Sequence, residues 1–322
     1  MAQPSHWSRV SQALTLGSEQ LRKIGERLGE AGLTERAVRV CFDVQSVGHA
    51  PLRTAAMTPP DTPPLAAVLP WLFAAAKPLP IDAVRAALGD ELYDEFRRVD
   101  LIREQSVFAW AEMCVLPVGE ALTLCDLIGR SEAPMPDDSA FHLIGSLPVR
   151  RVSRWLDIGT GNAIAPLARR DLGEKVLGTD VNQHSLDCAA LGASLSGAAD
   201  LELRAANLFE HIDITDEAWD LISFNAPIPR PYDGLLERFW TTVGDHVADD
   251  GEVLVHSQQQ IDGYLDALDL PGETIAVRYT PTNAKTAFGI TRWRPHAADR
   301  RELRHVELTA RSPHVTRSQL DE

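Results

Sequence analysis

The sequence contains few of the residues that build metal centres or disulfide-rich folds. Its four cysteines, Cys41, Cys114, Cys125 and Cys188, form no CxxC pair and no Cys/His ligand pattern. Four are too few for a disulfide framework, and their spacing does not fit a cysteine-based zinc site. We therefore predict buried thiols in a reducing cytoplasm and no bound metal.

Basic residues and long apolar runs are also scarce. The chain has 31 Lys and Arg residues against 46 Asp and Glu residues, so its formal net charge is -15. Such a charge repels phosphate backbones and anionic membrane surfaces. No apolar segment approaches the length that spans a bilayer. We predict a cytoplasmic protein with a small-molecule partner, without a membrane or nucleic acid partner, and leave open whether it forms a homodimer.

Residues 1–135 are predicted to form a mainly helical N-terminal domain. Apolar residues recur at helical spacing over 9–29, and Thr34 can cap a second helix. The proline-rich segment TPPDTPP precedes three helical stretches and two β-type runs, SVFAWAEMCVLPV and EALTLCDLIG, joined at Gly119. This order suggests a winged-helix-like domain. Because its second and third helical stretches are acidic, we expect it to shape substrate access rather than bind DNA.

Residues 136–296 alternate between strand and helix patterns. The short apolar runs RWLDIG, EKVLGTD, DLELRAAN, WDLISFN and GEVLVHS, separated by helical stretches, indicate a parallel α/β sheet. Two further runs, ETIAVRYTP and AFGITRWRP, are predicted strands joined by a turn at TNAK. The polar residues 297–322 are predicted to form a loosely ordered tail.

A loop with two glycines, LDIGTGNA, follows the first strand of this sheet. Gly159 and Gly161 permit a sharp turn and a close approach of the backbone to a ligand. The third glycine of a dinucleotide fingerprint would fall at Ile164, and Asp157 would repel a pyrophosphate but attract an ammonium. Asp180 ends the next strand, where a carboxylate can bind both hydroxyls of a ribose. A ribose, no pyrophosphate and a positive amino-acid end describe S-adenosylmethionine.

Four successive motifs, LDIGTGNA, LGTDVN, AANLFE and DLISFNAPI, resemble those of the class I S-adenosylmethionine-dependent methyltransferases, and more narrowly the HemK-like branch that modifies nitrogen. The resemblance covers residues 150–295. It implies a Rossmann-like, seven-stranded, mostly parallel sheet with S-adenosylmethionine as cofactor. The cofactor-binding residues that it implies are Asp157, Gly159, Thr160, Gly161, Asp180, Val181, Asn207, Leu208, Phe209 and Asn225.

The segment SFNAPIPRPYDG, residues 223–234, is the candidate acceptor loop. In the resembled family an Asn-Pro-Pro-aromatic loop accepts two N–H bonds of an amine or amide, which aims the nitrogen lone pair at the methyl group. Here Asn225 is retained, Ala226 replaces the first proline, and Ile228 replaces the aromatic residue. Tyr232 could supply the missing ring or hydroxyl. Asn225 could also merely cap a turn.

His256 joins Asn225, Ala226 and Tyr232 as a catalytic candidate. It ends the GEVLVHS strand at the ligand edge of the sheet, where an imidazole can act as a general base near neutral pH. A buried, hydrogen-bonded histidine is the alternative. Because the aromatic residue is lost, nucleobase and glutamine acceptors are disfavoured, and we predict methylation of a small molecule at nitrogen.

Other functions stay open at this point. The enzyme could methylate oxygen or carbon, or could transfer or cyclise the aminobutyl portion of the cofactor. The chain could instead be a regulatory module that binds nucleic acid and senses S-adenosylmethionine. A nicotinamide dinucleotide domain is disfavoured by Ile164 and Asp157.

Overall fold

The computed structural model describes residues 6–127, 136–210, 218–227, 234–259, 268, 270–280, 286–309 and 312–321. The chain divides into two compact units. The first comprises Met1–Asp137, Gly161–Ala168 and Asn182–Leu201, and the second comprises Asp138–Thr160, Arg169–Val181 and Glu202–Glu322. Two helical segments of the predicted α/β domain therefore belong to the first unit.

Helices occur in both units. They are α1 (His6–Leu14), α2 (Ser18–Glu30), α3 (Glu35–Phe42), α4 (Ala50–Thr54), α5 (Leu65–Leu69), α6 (Ile81–Leu88), α7 (Asp90–Arg98), α8 (Asp138–Ser146), α9 (Ile164–Ala168), α10 (Gln183–Leu195) and α11 (Leu235–Thr242). Shorter helical turns lie at Val47–His49, Pro70–Ala74, Val243–Asp245 and Ser318–Asp321.

Within the described residues, the strands form three sheets. They are β1 (Leu79–Pro80), β2 (Ile102–Gln105), β3 (Phe108–Ala111), β4 (Cys114–Val118), β5 (Ala121–Cys125), β6 (Val152–Ile158), β7 (Gly173–Asp180), β8 (Glu202–Ala205), β9 (Trp219–Asn225), β10 (Val247–Gln259), β11 (Glu273–Tyr279), β12 (Ala287–Arg294) and β13 (Arg300–His305).

Glycine determines how two helices of the first unit pack. On α2, Leu21 and Leu28 recur at helical spacing and are buried. Gly25 lies between them, where an added Cβ would come within 1.9 Å of the Leu195 backbone oxygen at the end of α10. A side chain at this position would therefore force α2 and α10 apart.

The predicted helix over 9–29 is two helices in the structure. Gly17 separates α1 from α2 with a φ of +80°, a backbone conformation that glycine adopts readily. Thr34 caps α3, as predicted, because its Oγ1 accepts the Ala37 N–H at 3.1 Å.

The predicted single hairpin of the first unit is two hairpins. β2 and β3 pair in a three-stranded antiparallel sheet of order β1-β3-β2, whereas β4 and β5 pair only with each other. Gly119 turns the second hairpin, as predicted, with a φ of +59°. The run SVFAWAEMCVLPV is divided because Phe108–Ala111 pairs with β1 and β2 and Cys114–Val118 pairs with β5.

In the part of the chain that the structure describes, eight strands form the large sheet of the second unit, in the order β13-β11-β12-β10-β9-β6-β7-β8. β6 to β10 pair in parallel, and β12 runs antiparallel to β10 and β11. The order β8-β7-β6-β9-β10 is the 3-2-1-4-5 order of a doubly wound, Rossmann-like sheet. The mostly parallel α/β architecture agrees with the prediction, with one strand more than the seven expected.

The eighth strand, β13, lies in the segment predicted to be a loosely ordered tail, and that prediction was wrong. β13 pairs in parallel with β11, where Leu303 lies opposite Ala276. Its polar side chains contact one another along the strand, for example Arg304 Nε and Glu302 Oε1 at 2.7 Å. An edge strand with exposed charges lacks the apolar pattern by which buried strands are predicted.

Alternation along β9 separates the core from the opposite face of the sheet. Ile222 and Phe224 belong to a hydrophobic core that also contains Phe239 of α11. Ser223 and Asn225 lie on the other face, because successive side chains of a strand point to opposite sides. Ser223 and Asn225 therefore share one face of β9.

Candidate functional site

The candidate site lies where the strand order of the large sheet reverses. β7 and β9 flank β6 on its two sides, and all three strands run parallel. β6 is followed in sequence by β7 on one side and β9 by β10 on the other, and in open α/β sheets ligands bind outside the carboxyl ends of strands at such a point. Asp157, Asp180 and Asn225 all lie at or next to these strand ends.

The loop after β6 requires its glycines. Gly159 has a φ of +60°, and an added Cβ would lie 3.3 Å from Cε2 of Phe224. Gly161 has a φ of +57°, and apart from its two chain neighbours no described residue has a heavy atom within 4 Å of where its Cβ would be. Both positions favour glycine, and the space beside Gly161 is open to a ligand that approaches the backbone.

Asp157 is buried and both of its carboxylate oxygens accept hydrogen bonds. Ser223 Oγ donates to Oδ1, and Thr160 Oγ1 donates to Oδ2 at 2.7 Å. Burial raises the pKa of Asp157 to about 6, although these two hydrogen bonds lower it and the charge of Asp180 raises it further. The carboxylate thus stabilises the loop through its hydrogen bond with Thr160, while burial makes its ionised form less favourable than it would be in water.

Asp180 lies at the end of β7 and is half-buried. Its carbonyl oxygen accepts the Ala206 N–H at 3.0 Å, which fixes the backbone where the chain leaves the strand. Val181 follows and is 66% exposed, so this end of the strand faces solvent. The predicted contact of Asp180 with a ribose stays a prediction.

The segment after β8 was predicted to line an adenine. Asn207 Nδ2 donates to Glu210 Oε1 at 3.2 Å, which leaves its amide oxygen as an acceptor. Leu208 is half-buried with a φ of +53°, and Phe209 is buried with its ring 4.2 Å from that of His246. Phe209 therefore packs into the core, and its contact with a base stays a prediction.

Asn225 ends β9 and is held by a residue that the sequence pattern did not indicate. Its Nδ2 donates to Oγ of Ser139, on α8, at 2.8 Å. The Ala226 N–H donates to the His256 carbonyl at 2.9 Å, so the peptide after Asn225 is fixed as well. Among the described residues, the Asn225 side-chain oxygen and the Ala226 carbonyl are the acceptors that this geometry leaves for a ligand. Ile228 and Tyr232 lie outside the described residues.

His256 is buried beside Asn225 but is a poor candidate for a general base. The two residues are paired in the β9–β10 register, and His256 Nε2 lies 2.8 Å from the Tyr279 hydroxyl. Burial lowers the pKa of His256 to about 3. An imidazole with this pKa is a weak base at neutral pH, so the structure favours the buried, hydrogen-bonded histidine over the predicted base.

A second histidine, His142 on α8, packs against the same group. Its ring lies 4.1 Å from that of Tyr279 and 6.0 Å from that of His256. The Val315 N–H donates to His142 Nδ1 at 2.8 Å, so the neutral ring carries its proton on Nε2. Burial, with smaller contributions from the neighbouring histidines, lowers the pKa of His142 to about 3.

Acid is expected to destabilise the second unit through these two histidines. Their pKa values are near 6.5 in the unfolded chain and about 3 in the fold, so stability is fully present above pH 6.5 and is lost as pH falls toward 3. Each histidine contributes at most about 1.4 kcal/mol per pH unit in this window. His142→Asn keeps an acceptor for the Val315 N–H and should make the pH dependence shallower.

Urea unfolding between about pH 7 and pH 5 checks this prediction. The exposed His296, whose side chain is 53% accessible, provides the control His296→Gln. An unchanged slope in His142→Asn would show that the buried histidine does not govern acid stability.

The described part of the chain contains no cluster of His, Cys, Asp and Glu side chains able to hold a metal ion. No helix in it is both long enough and apolar enough to cross a bilayer. Among the cysteines, Cys114, Cys125 and Cys188 are buried, Cys41 is partly buried, and all four are free thiols.

No family model and no curated protein matches the sequence. Among solved structures, the ribosomal protein L11 methylase of Lactobacillus delbrueckii subsp. bulgaricus is 24% identical over 49% of this chain and 78% of its own, with a TM-score of 0.38. The precorrin-6y C5,15-methyltransferase of Geobacter metallireducens GS-15 is 16% identical over 51% and 92%, with a TM-score of 0.39. A SAM-dependent methyltransferase of Agrobacterium tumefaciens is 10% identical over 60% and 72%, with a TM-score of 0.45. These partial overlaps assign no activity by themselves.

Proposed function

We propose that the protein is an S-adenosylmethionine-dependent methyltransferase that acts on a small molecule at nitrogen. The observation that carries the proposal is the position of Asp180 at the carboxyl end of β7, which pairs with β6 next to the glycine loop. A carboxylate there fits a ribose, and the open side of Gly161 fits a ligand that lies against the backbone. We also place the chain in the HemK-like branch, because the DLISFNAPI motif retains Asn225.

The residues present fit this cofactor better than a dinucleotide. Ile164 occupies the position of the third fingerprint glycine and is buried at the start of α9. Asp157 places a buried carboxylate where a pyrophosphate would need positive or neutral partners. The same negative charge favours the ammonium of a bound amino acid.

When bound, S-adenosylmethionine supplies an electrophilic methyl group on its sulfonium. The protein then needs chiefly to hold the acceptor nitrogen in line. Asn225 and Ala226 do this with two fixed carbonyl oxygens, because Ser139 holds the side chain and the His256 carbonyl holds the backbone. Both acceptors are uncharged, so they suit the N–H groups of a neutral amine or amide.

His256 has a supporting role in this proposal. It stays neutral over the working pH range, because burial lowers its pKa to about 3. A neutral amine needs no base before it attacks, since its nitrogen already carries a lone pair. The Tyr279 hydroxyl holds the His256 ring, and the His256 carbonyl in turn holds the acceptor loop.

For the first unit we propose a winged-helix-like arrangement. β1, α6, α7, β2 and β3 follow one another in the chain, and their strands form one small sheet. The first turn of α7 carries Asp90 and Glu91, which would repel nucleic acid phosphates. We propose a cytoplasmic location, in keeping with the four free cysteines.

Calorimetric titration of the protein with S-adenosylmethionine, S-adenosylhomocysteine and NAD tests the proposal. We expect the first two to bind and NAD not to bind. Asp180→Ala should weaken S-adenosylhomocysteine by about 10- to 100-fold, because hydrogen bonds to a charged group are lost. Asp171→Ala, in the exposed turn before β7, is the matched control.

The outcome separates the proposal from its rivals. Equal affinity of Asp180→Ala and the wild-type protein for S-adenosylhomocysteine would refute the assignment of Asp180 to the ribose. Binding of NAD alone would refute S-adenosylmethionine as the cofactor. With an acceptor in hand, release of S-adenosylhomocysteine indicates methyl transfer. Release of methylthioadenosine would indicate transfer of the aminobutyl portion instead.

A further inference from the structure

We propose that Ser223 is a positioning residue that fixes the glycine loop for its ligand and joins that loop to the acceptor residue on one strand. The inference rests on the proposed function. Ser223 is fully buried in β9 and lies two residues before Asn225. In this proposal Ser223 does not contact the ligand and acts through Asp157.

The direction of the hydrogen bonds around Ser223 follows from donor chemistry. Trp155 Nε1 lies 2.7 Å from Ser223 Oγ, and an indole N–H can only donate. Ser223 therefore accepts from Trp155 and directs its own proton to Asp157 Oδ1. All three side chains are buried, so water does not compete for these bonds.

The carboxylate that Ser223 orients holds the loop in turn. Asp157 Oδ2 accepts from Thr160 Oγ1 at 2.7 Å, and the Thr160 N–H donates to the Thr179 carbonyl at 2.8 Å. Thr160 packs over Gly178, where an added Cβ would lie 3.0 Å from its hydroxyl oxygen. The loop is therefore fixed to β7 by its backbone and to β6 by a carboxylate that Ser223 orients.

The same serine links the two halves of the proposed site. Ser223 and Asn225 lie on one face of β9 because they are two residues apart. β9 pairs with β6 on one side and β10 on the other, so the glycine loop and the Asn225 amide share a common support. A shift of Ser223 would move the loop relative to Asn225.

Removal of the serine hydroxyl has two definite effects. Asp157 loses one of the two hydrogen bonds that favour its ionised form, while burial and the charge of Asp180 continue to oppose ionisation. The Trp155 N–H loses its acceptor. The carboxylate then needs a higher pH to ionise and is held less firmly, and the loop loses its fixed partner.

The experiment compares Ser223→Ala, Ser223→Thr and Trp155→Phe with a matched control. Ser146 is also a fully buried serine of this unit, and its hydroxyl donates to the His142 carbonyl at 2.8 Å. Ser146→Ala therefore removes an equivalent buried hydroxyl elsewhere. S-adenosylhomocysteine binding is measured by calorimetry as a function of pH, and folding is followed by circular dichroism.

We expect Ser223→Ala to bind about tenfold more weakly at neutral pH, with the midpoint of its pH dependence moved upward. Ser223→Thr keeps a hydroxyl and should stay within about threefold of wild type, and Ser146→Ala should match wild type. Trp155→Phe keeps an aromatic ring and should weaken S-adenosylhomocysteine binding less than Ser223→Ala. If Ser223→Ala does not fold, the affinity and pH midpoint of Trp155→Phe test the inference in its place.

Two results overturn the inference while the wild-type protein binds the ligand. One is unchanged affinity and midpoint in both Ser223→Ala and Trp155→Phe, and the other is an equal loss in Ser146→Ala. A wild-type protein that binds no S-adenosylhomocysteine would refute the proposed function itself, and the inference with it.

Discussion

Replacement of Asn225 by alanine is expected to remove methyl transfer and to leave cofactor affinity nearly unchanged. In the proposed mechanism the Asn225 side chain holds the acceptor rather than the sulfonium ligand, and Asn225 Nδ2 donates to Ser139 Oγ at 2.8 Å. Loss of one preorganised acceptor should lower kcat by about 100- to 1000-fold. S-adenosylhomocysteine should bind within about twofold of wild type by calorimetry.

Ser139→Ala refines this test. It keeps the Asn225 amide oxygen but removes the hydrogen bond that orients it, so kcat should fall less, by about 10-fold, with folding intact. The Asn225→Ala result requires the true acceptor or a reactive analogue. Full turnover by Asn225→Ala would mean that Asn225 only caps the turn after β9.

Asp157→Asn is expected to melt at a higher temperature than wild type and to bind the cofactor less tightly. The pKa of Asp157 is about 6 in the fold against an ordinary value of 3.8. A raised carboxyl pKa means that stability is lost as pH rises from 3.8 through 6, so the ionised group destabilises the fold at pH 7. The neutral amide should restore up to about 3 kcal/mol.

The amide introduced by Asp157→Asn can keep the hydrogen bonds with Ser223 and Thr160, because one of these two hydroxyls can rotate to accept instead of donate. Cofactor affinity should fall because the charge that attracts an ammonium is gone. Urea unfolding of the ligand-free protein and calorimetry with S-adenosylhomocysteine measure the two effects. Asp171→Asn, at an exposed carboxylate, should change neither. A less stable Asp157→Asn with undiminished affinity would refute the account.

The parts of the site that were predicted from sequence are local. Asp180 and Asn225 end apolar runs that break into turns, and the structure ends β7 and β9 at these residues. Gly159 and Gly161 take the positive φ angles that their loop suggested. Strand ends and turn glycines can be predicted because neighbours in sequence determine them.

The parts that were missed depend on sheet register and on the packing of a helix against the sheet. Ser139 lies 86 residues from Asn225 in sequence, and Ser223 lies 66 residues from Asp157. No periodicity within a window of sequence brings such pairs together. The burial of His256 could not be predicted for a related reason, since the residues that bury it and lower its pKa come from distant parts of the chain, and its catalytic role stays a prediction.

The strand β13 was not predicted for a different reason. Strand propensity and hydrophobic alternation indicate buried strands and give little signal for exposed ones. RRELRH carries four charged residues and has one apolar residue, Leu303. It forms a strand because the edge of β11 offers unpaired backbone groups, and the charged side chains can remain in solvent.

Charges at both margins of the large sheet limit how two copies of the protein can associate. β13 carries Arg300, Glu302 and Arg304, and the opposite margin, β8, carries Glu202 and Arg204. A second copy that added its own strand at either margin would have to bring rows of charged side chains together and strip them of water. Growth of a continuous intermolecular sheet, including fibrillar growth from these margins, is therefore disfavoured in concentrated solution, and any dimer would have to join through other surfaces.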